Sequence, residues 1–222
     1  MQAGEKISYQ GSQVCLFPMD YVYCTQVSGP GSYSHCCGHP ADWVGSYNEY
    51  PCYAPFDCHL VYSDSVGNTR AYTSDAPVWT PQGLQYVTVS FTHDYTPPAA
   101  TSYSQGDLIY HTGEAGGAIG DHVHIDQSNI ANAQLVNYGV QCQYHIETGT
   151  WCFALDGSQP PEDIFYLSGS ETFVTDQGMG LETWDKPPEP IGSKAKYAIL
   201  FLAKKRKEER DHGRIKRYSG II

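Results

Sequence analysis

Short blocks rich in β-branched and aromatic residues recur along this 222-residue chain, each bounded by Gly, Pro or Asn-containing turns. They read "QVCLF", "YVYCTQV", "PCYAPFDCHLVYSD", "YVTVSFTH", "GDLIYHTG", "HVHIDQ", "CQYHI" and "WCFAL". Blocks of this length and make-up predict strands. No amphipathic helix is evident before residue 190, and no internal repeat. The pattern therefore predicts a mainly β domain built on an antiparallel sheet, with its strands over roughly residues 10–158. We take 1–158 as the principal domain and 159–193 as an extension that ends in the Pro-rich linker "DKPPEPIGS". Residues 194–222, "SKAKYAILFLAKKRKEERDHGRIKRYSGII", change character: the apolar block and the charge run after it both favour helix by propensity.

Composition sharpens this picture. With 22 Gly, 14 Pro and 18 Tyr, the chain suits many turns and short strands. The net charge of −11 conceals a split. Up to Ser193, only Lys6, Arg70 and Lys186 oppose 21 Asp and Glu, a balance of −18. From Lys194 onward ten Lys and Arg oppose three acids, a balance of +7. An acidic body repels nucleic acid and anionic lipid, so the main domain is expected to bind neither. For the basic tail four readings stay open: docking on a partner, contact with an anionic membrane surface, folding back on the acidic body, or a solvated tail. No run of 18 apolar residues is present. The opening "MQAGEKISYQ" has neither an apolar core nor a cleavage site, so no secretory signal is expected there.

Eight cysteines, Cys15, Cys24, Cys36, Cys37, Cys52, Cys58, Cys142 and Cys152, are compatible with disulfides or with thiols kept reduced in a cytosol. No CxxC pair marks a structural zinc site. Cys36 and Cys37 are adjacent and poorly placed to bridge each other, whereas Cys142 and Cys152 flank the turn-like "ETGT" and could pair across a hairpin.

The segment "GAIGDHVHIDQ" holds the strongest chemical signal. In a strand, residues i and i+2 project from one face, so His122 and His124 point into the same space. They would serve either as satisfied polar residues or as part of a metal site. A catalytic zinc site needs about three protein ligands and an open position. The richest source of the others is "GSYSHCCGHPADWVG", with His35, Cys36, Cys37, His39 and Asp42, while "SFTHDY" supplies His93. A histidine beside such a site can act as a base or stabilise an oxyanion.

The order of these features resembles the lysostaphin-type zinc endopeptidases, which cut peptide cross-links in bacterial cell walls. That family carries an early His and Asp, a "pvyAP.dG.V"-like strand, a mid-chain His and a late "G…G.HvHi" run. The counterparts are His35 and Asp42, "PCYAPFDCHLVY", "VSFTHDY" and "YHTGEAGGAIGDHVHID". The resemblance spans roughly residues 20–127, and within the family it is nearest to versions on the tail tips of small phages of Gram-positive bacteria. It implies a compact β-sheet metallopeptidase domain with long loops around a groove. It also implies one Zn²⁺ held by His35, Asp42 and His124, with His93 and His122 as catalytic residues. One departure stands out: members typically place the Asp four residues after the His, whereas Asp42 follows His35 by seven and His39 by three. The phage versions tolerate the longer spacing, which favours His35. Cys36 or Cys37 as a thiolate ligand would close the site and is the competing reading.

On the resemblance, two neutral imidazoles and one carboxylate leave a net positive charge on a divalent ion, as water activation requires. His122 is the expected base, because its strand position holds it next to His124. His111 is a candidate for lining the cleft, and Tyr33, Trp43, Tyr47 and Tyr95 for walling it. His59, His145 and His212 read as surface, hairpin and tail residues. The glycines of "TGEAGGAIG" suit a loop passing close to substrate.

The implied function is peptidoglycan cross-link hydrolysis by a virion component on a phage tail, with other tail proteins as partners and synthesis in the host cytoplasm. The alternatives are a silent structural tail protein of the same fold and a lysin acting at host lysis. A cupin-like barrel is disfavoured, because no further Glu and His follow at barrel spacing.

Overall fold

The computed structural model describes residues 1–29, 32, 35–138 and 153–185. Cys142, Cys152, His145, Tyr33, residues 186–193 of the Pro-rich linker and the tail expected to be helical all lie outside these residues. Among the described residues no helix is long and apolar enough to cross a membrane.

Eight strands form one sheet: β1 (Tyr21–Gln26), β2 (Ala41–Trp43), β3 (Cys58–Ser63), β4 (Arg70–Ser74), β5 (Thr88–Thr92), β6 (Ser102–Tyr103), β7 (Val123–Ser128) and β8 (Thr172–Thr175). Their order across the sheet is β6-β3-β4-β5-β7-β2-β1-β8. Every pairing is antiparallel except that of β8 with β1, which is parallel. The mainly β, antiparallel architecture expected from the sequence is the one observed. One turn of helix, α1 (Pro161–Ile164), starts on Pro161, whose missing N–H costs nothing at a helix N-terminus.

Strand alternation divides the sheet into a core face and a groove face. Val22, Cys24, Ala41, Trp43, Val89, Phe91, Val123 and Ile125 are buried on the core side. There Phe17 packs edge-on against Trp43 at 4.6 Å, and Phe91 stacks on Tyr110 at 5.5 Å. The intervening residues, Thr25, Asp42, Ser90, Thr92, His124 and Asp126, face the opposite side and floor a groove of about 920 Å³. Trp43, a candidate groove wall from sequence, is therefore a core residue: it follows Asp42, so the period of two turns it to the other face. Loops complete the groove with Asp64, Val66 and Gly67 on one rim and residues 116–119 on another. Leu135 and Phe153 add a further wall from an antiparallel strand pair, Leu135–Asn137 with Phe153–Leu155.

Candidate metal centre

Register builds the centre. His124 on β7 lies directly opposite Asp42 on β2 and, on its other side, opposite Thr92 on β5. Directly opposed residues in antiparallel strands share a face with their Cβ atoms about 5 Å apart. His93 follows Thr92, and His122 precedes β7 in a reciprocal backbone pair with Gly113 (2.9 and 3.1 Å). The third segment is a loop: His35, almost fully buried, comes to the same point from beyond β1.

Three atoms converge. His35 Nε2 lies 2.9 Å from His124 Nδ1 and 3.1 Å from Asp42 Oδ1, and His124 Nδ1 lies 3.2 Å from that same oxygen. Tetrahedral ligands at zinc distances of about 2.0–2.1 Å stand roughly 3.3 Å from one another, so this triangle fits one ion. All three residues line the groove, which leaves a fourth direction open to solvent and substrate. His39, the rival ligand, is exposed and held by its backbone to Ser158, away from the triangle.

Electrostatics agree with a cation site. Burial alone would raise the Asp42 pKa, but hydrogen bonds with His124 and His35 outweigh it and hold the carboxyl far below the usual range. Burial keeps His35 in its neutral form. In the metal-free protein His124 gains proton affinity: burial opposes this, and its hydrogen bond and charge interaction with Asp42 prevail. A divalent ion would take the place of that proton.

His93 and His122 stand beside the triangle, their ring centroids 4.7 Å apart. His93 Nδ1 lies 2.7 Å from the Ala115 carbonyl, and His122 Nδ1 lies 2.7 Å from the Gly120 carbonyl. A carbonyl only accepts, so each Nδ1 carries a proton, and in the neutral tautomer of either ring the lone pair is on Nε2. His122 Nε2 lies 3.6 Å from Asp42 Oδ2. Holding His93 here takes unusual backbone: its φ is +96°, and its carbonyl passes so close to Gly113 that a Cβ there would meet it at 2.3 Å. Only glycine permits that approach.

Burial lowers the His93 pKa to about 4, against the opposing pull of the Ala115 carbonyl. The folded protein thus binds fewer protons than the unfolded chain between about pH 4 and 6.5, so His93 makes stability fall as pH drops through that window. In the metal-free protein this amounts to roughly 3 kcal/mol. Urea midpoints at pH 7 and 4.5 should therefore differ less in His93→Asn than in the wild type.

Other sequence candidates fall elsewhere. His111 does not line the groove; its Nδ1 lies 3.0 Å from Asp94, a buried carboxylate that also accepts the His111 backbone N–H. His59 is a surface residue paired with Asp75. Tyr47 packs on Tyr50 and Tyr95 donates to Glu114, both outside the groove lining. Cys36 and Cys37 are disulfide-bonded, which removes the thiolate that a metal would need and overturns the cysteine-ligand alternative. Cys15, Cys24, Cys52 and Cys58 are free, buried thiols whose ionisation burial suppresses. Because Cys36 directly follows His35, reduction with a phosphine is expected to loosen the ligand segment and weaken zinc binding. Zinc titration before and after reduction, with thiols counted, checks this; unchanged affinity in fully reduced protein would exclude it. Two residues that sequence reasoning gave no role at the site, Asp126 and Ser158, are hydrogen-bonded to each other, and Ser158 also accepts from the His39 N–H. Asp126 was visible as the next same-face residue after His124, whereas nothing in the chain pointed to Ser158.

No protein-family model matches the chain. It is 36% identical over 119 residues to morphogenesis protein 1 of Bacillus phage B103, an alignment covering 52% of this chain and 32% of that protein. The chain thus spans about a third of the length of that curated relative. Among solved structures it is similar to the catalytic domain of the antimicrobial peptidase lysostaphin from Staphylococcus simulans. That match has 16% identity and a TM-score of 0.31, over 52% of this chain and 80% of the other. It is also similar to a second structure of that peptidase, with 12% identity and a TM-score of 0.41, over 78% of this chain and 62% of the other.

Proposed function

We propose that this chain is a zinc-dependent endopeptidase that cleaves peptide cross-links of bacterial peptidoglycan, carried on a phage tail for wall penetration. The observation that carries the reading is the triangle of His35 Nε2, Asp42 Oδ1 and His124 Nδ1, with edges of 2.9–3.2 Å, opening into a groove beside two further imidazoles. His35, Asp42 and His124 would hold the ion. When bound, it supplies Lewis acidity, lowering the pKa of water and polarising a carbonyl.

The protein's own groups do the rest. His122 Nε2 faces the groove as a free base and accepts the proton of the attacking water, then returns it to the leaving amine. His93, taking up a proton from solvent at Nε2 as negative charge develops on the scissile oxygen, donates a hydrogen bond to that oxygen and stabilises it. The groove carries Asp64 on its rim and has no Lys or Arg among its lining residues. That balance suits wall peptides, whose diamino acids carry amines. The phage relative supports a phage setting; other tail proteins are the partners this reading calls for.

The test is digestion of purified sacculi from Gram-positive walls of different cross-bridge types by zinc-loaded protein, read by mass spectrometry of the released peptides. New amino termini at a cross-link are the expected product. Absence of cleavage on every wall type by protein with one bound zinc would overturn the enzymatic reading and favour a silent structural role.

A further inference from the structure

Asp126 has no part in the chemistry above, yet it is buried in the groove floor two residues beyond His124 on the same strand face. Oδ1 accepts from the Gln127 N–H at 3.0 Å and the Ser158 hydroxyl at 2.5 Å, and Oδ2 accepts from the Leu155 N–H at 2.6 Å. Ser158 Oγ in turn accepts the His39 N–H at 2.8 Å. A parallel strut runs through Gln127, whose Nε2 donates to the His39 carbonyl at 3.1 Å and to the Gln159 carbonyl at 2.5 Å. Gly38 closes against the same segment: a Cβ there would stand 2.4 Å from Ala154 Cβ and 2.9 Å from Ser158 Oγ.

We propose that Asp126 and Ser158 are positioning residues that set where His35 stands relative to His124. Sheet register already fixes Asp42 against His124, because the two are a cross-strand pair. His35 has no such register. It sits on a loop, and its backbone hydrogen bonds, to Gly29 and Ser32, are local. Beside the disulfide bonding at Cys36 and Cys37 and the Gln127 strut to the His39 carbonyl, a path from β7 to this loop runs from Asp126 through Ser158 to the His39 N–H. With three donors on its carboxylate, Asp126 is committed to holding protein groups together. Partners one layer behind metal ligands typically carry about 10–100-fold in metal affinity. This inference rests on the zinc-site reading.

The experiment uses the full chain and the variants Ser158→Ala, Asp126→Asn and Asp126→Ala, with His59→Gln as a surface control. Zinc and cobalt titrations give affinity, the visible cobalt spectrum reports coordination, and amide exchange at His39 reports the strut in metal-free protein. Ser158→Ala is expected to bind both metals about 10–100-fold more weakly, with an altered cobalt spectrum, faster His39 exchange and an unchanged circular dichroism spectrum. Asp126→Asn, which keeps one acceptor oxygen, should fall between wild type and Asp126→Ala, and the control should match wild type. Affinity of folded Ser158→Ala within twofold of wild type would overturn the proposal. A wild-type chain that binds no metal would overturn the zinc-site reading instead. Slow, wild-type-like His39 exchange in Ser158→Ala would then overturn the strut independently.

Discussion

His122→Ala should lower kcat/KM on peptidoglycan peptides by about 10²–10⁴-fold, the range that a positioned general base contributes. Zinc content should stay at the wild-type value. The two readouts separate because His122 lies outside the triangle of converging atoms, while its Nδ1 is tied to the Gly120 carbonyl and its Nε2 is left facing the groove. Removing the ring deletes a proton acceptor without deleting a ligand. Its side chain is partly exposed, so the cavity left behind fills with water and costs little stability. Single-turnover cleavage rates and metal analysis on the same preparation check the prediction. A fall in bound zinc equal to the fall in rate would instead make His122 a ligand. His93→Gln offers a contrast. An amide can donate a hydrogen bond to an oxyanion but cannot carry a proton away, so this variant should keep more activity than His122→Ala.

Asp42→Asn should lose both metal and activity, with zinc affinity down at least about 100-fold. The amide preserves shape but removes the one negative charge among the three converging groups, and a divalent ion depends on that charge to offset the water it sheds. Chelation of the wild type should produce the same inactive state, reversed by added zinc, whereas the variant should stay inactive under the same zinc. Binding also shifts the folding equilibrium: free zinc at about 100 times its dissociation constant stabilises the native state by about 2.7 kcal/mol. The wild-type melting temperature should therefore rise with zinc and that of the variant should not. An Asp42→Asn protein that still cleaves walls would place the centre elsewhere.

Much of this centre was legible along the chain because strand chemistry is local. A period of two puts His122, His124 and Asp126 on one face whatever the rest of the molecule does, and it equally puts Trp43 on the face opposite Asp42. The mainly β class followed from the same short blocks, whose β-branched and aromatic residues suit pleated, half-buried surfaces. Identity of the ligand segments came from the ordered resemblance of four blocks, not from spacing, which left His35 and His39 as rivals.

Only the tertiary structure separates them in space: it brings His35, and not His39, to Asp42 and His124. Pairing of Asp42 with His124 is a cross-strand register, made by residues 82 positions apart in the chain, and no local pattern encodes which strands become neighbours. His35 reaches the centre from a loop, while the His39 backbone is held by a segment more than a hundred residues further on. The proton-bearing nitrogens of His93 and His122 depend on which carbonyls the folded loops bring to them, and Gly113 on how near the His93 backbone must pass. Side-chain periodicity is written in adjacent residues, whereas register and loop closure are decided by packing between distant ones. The chain alone therefore set which side chains share a face, and the folded protein set the geometry in which they meet.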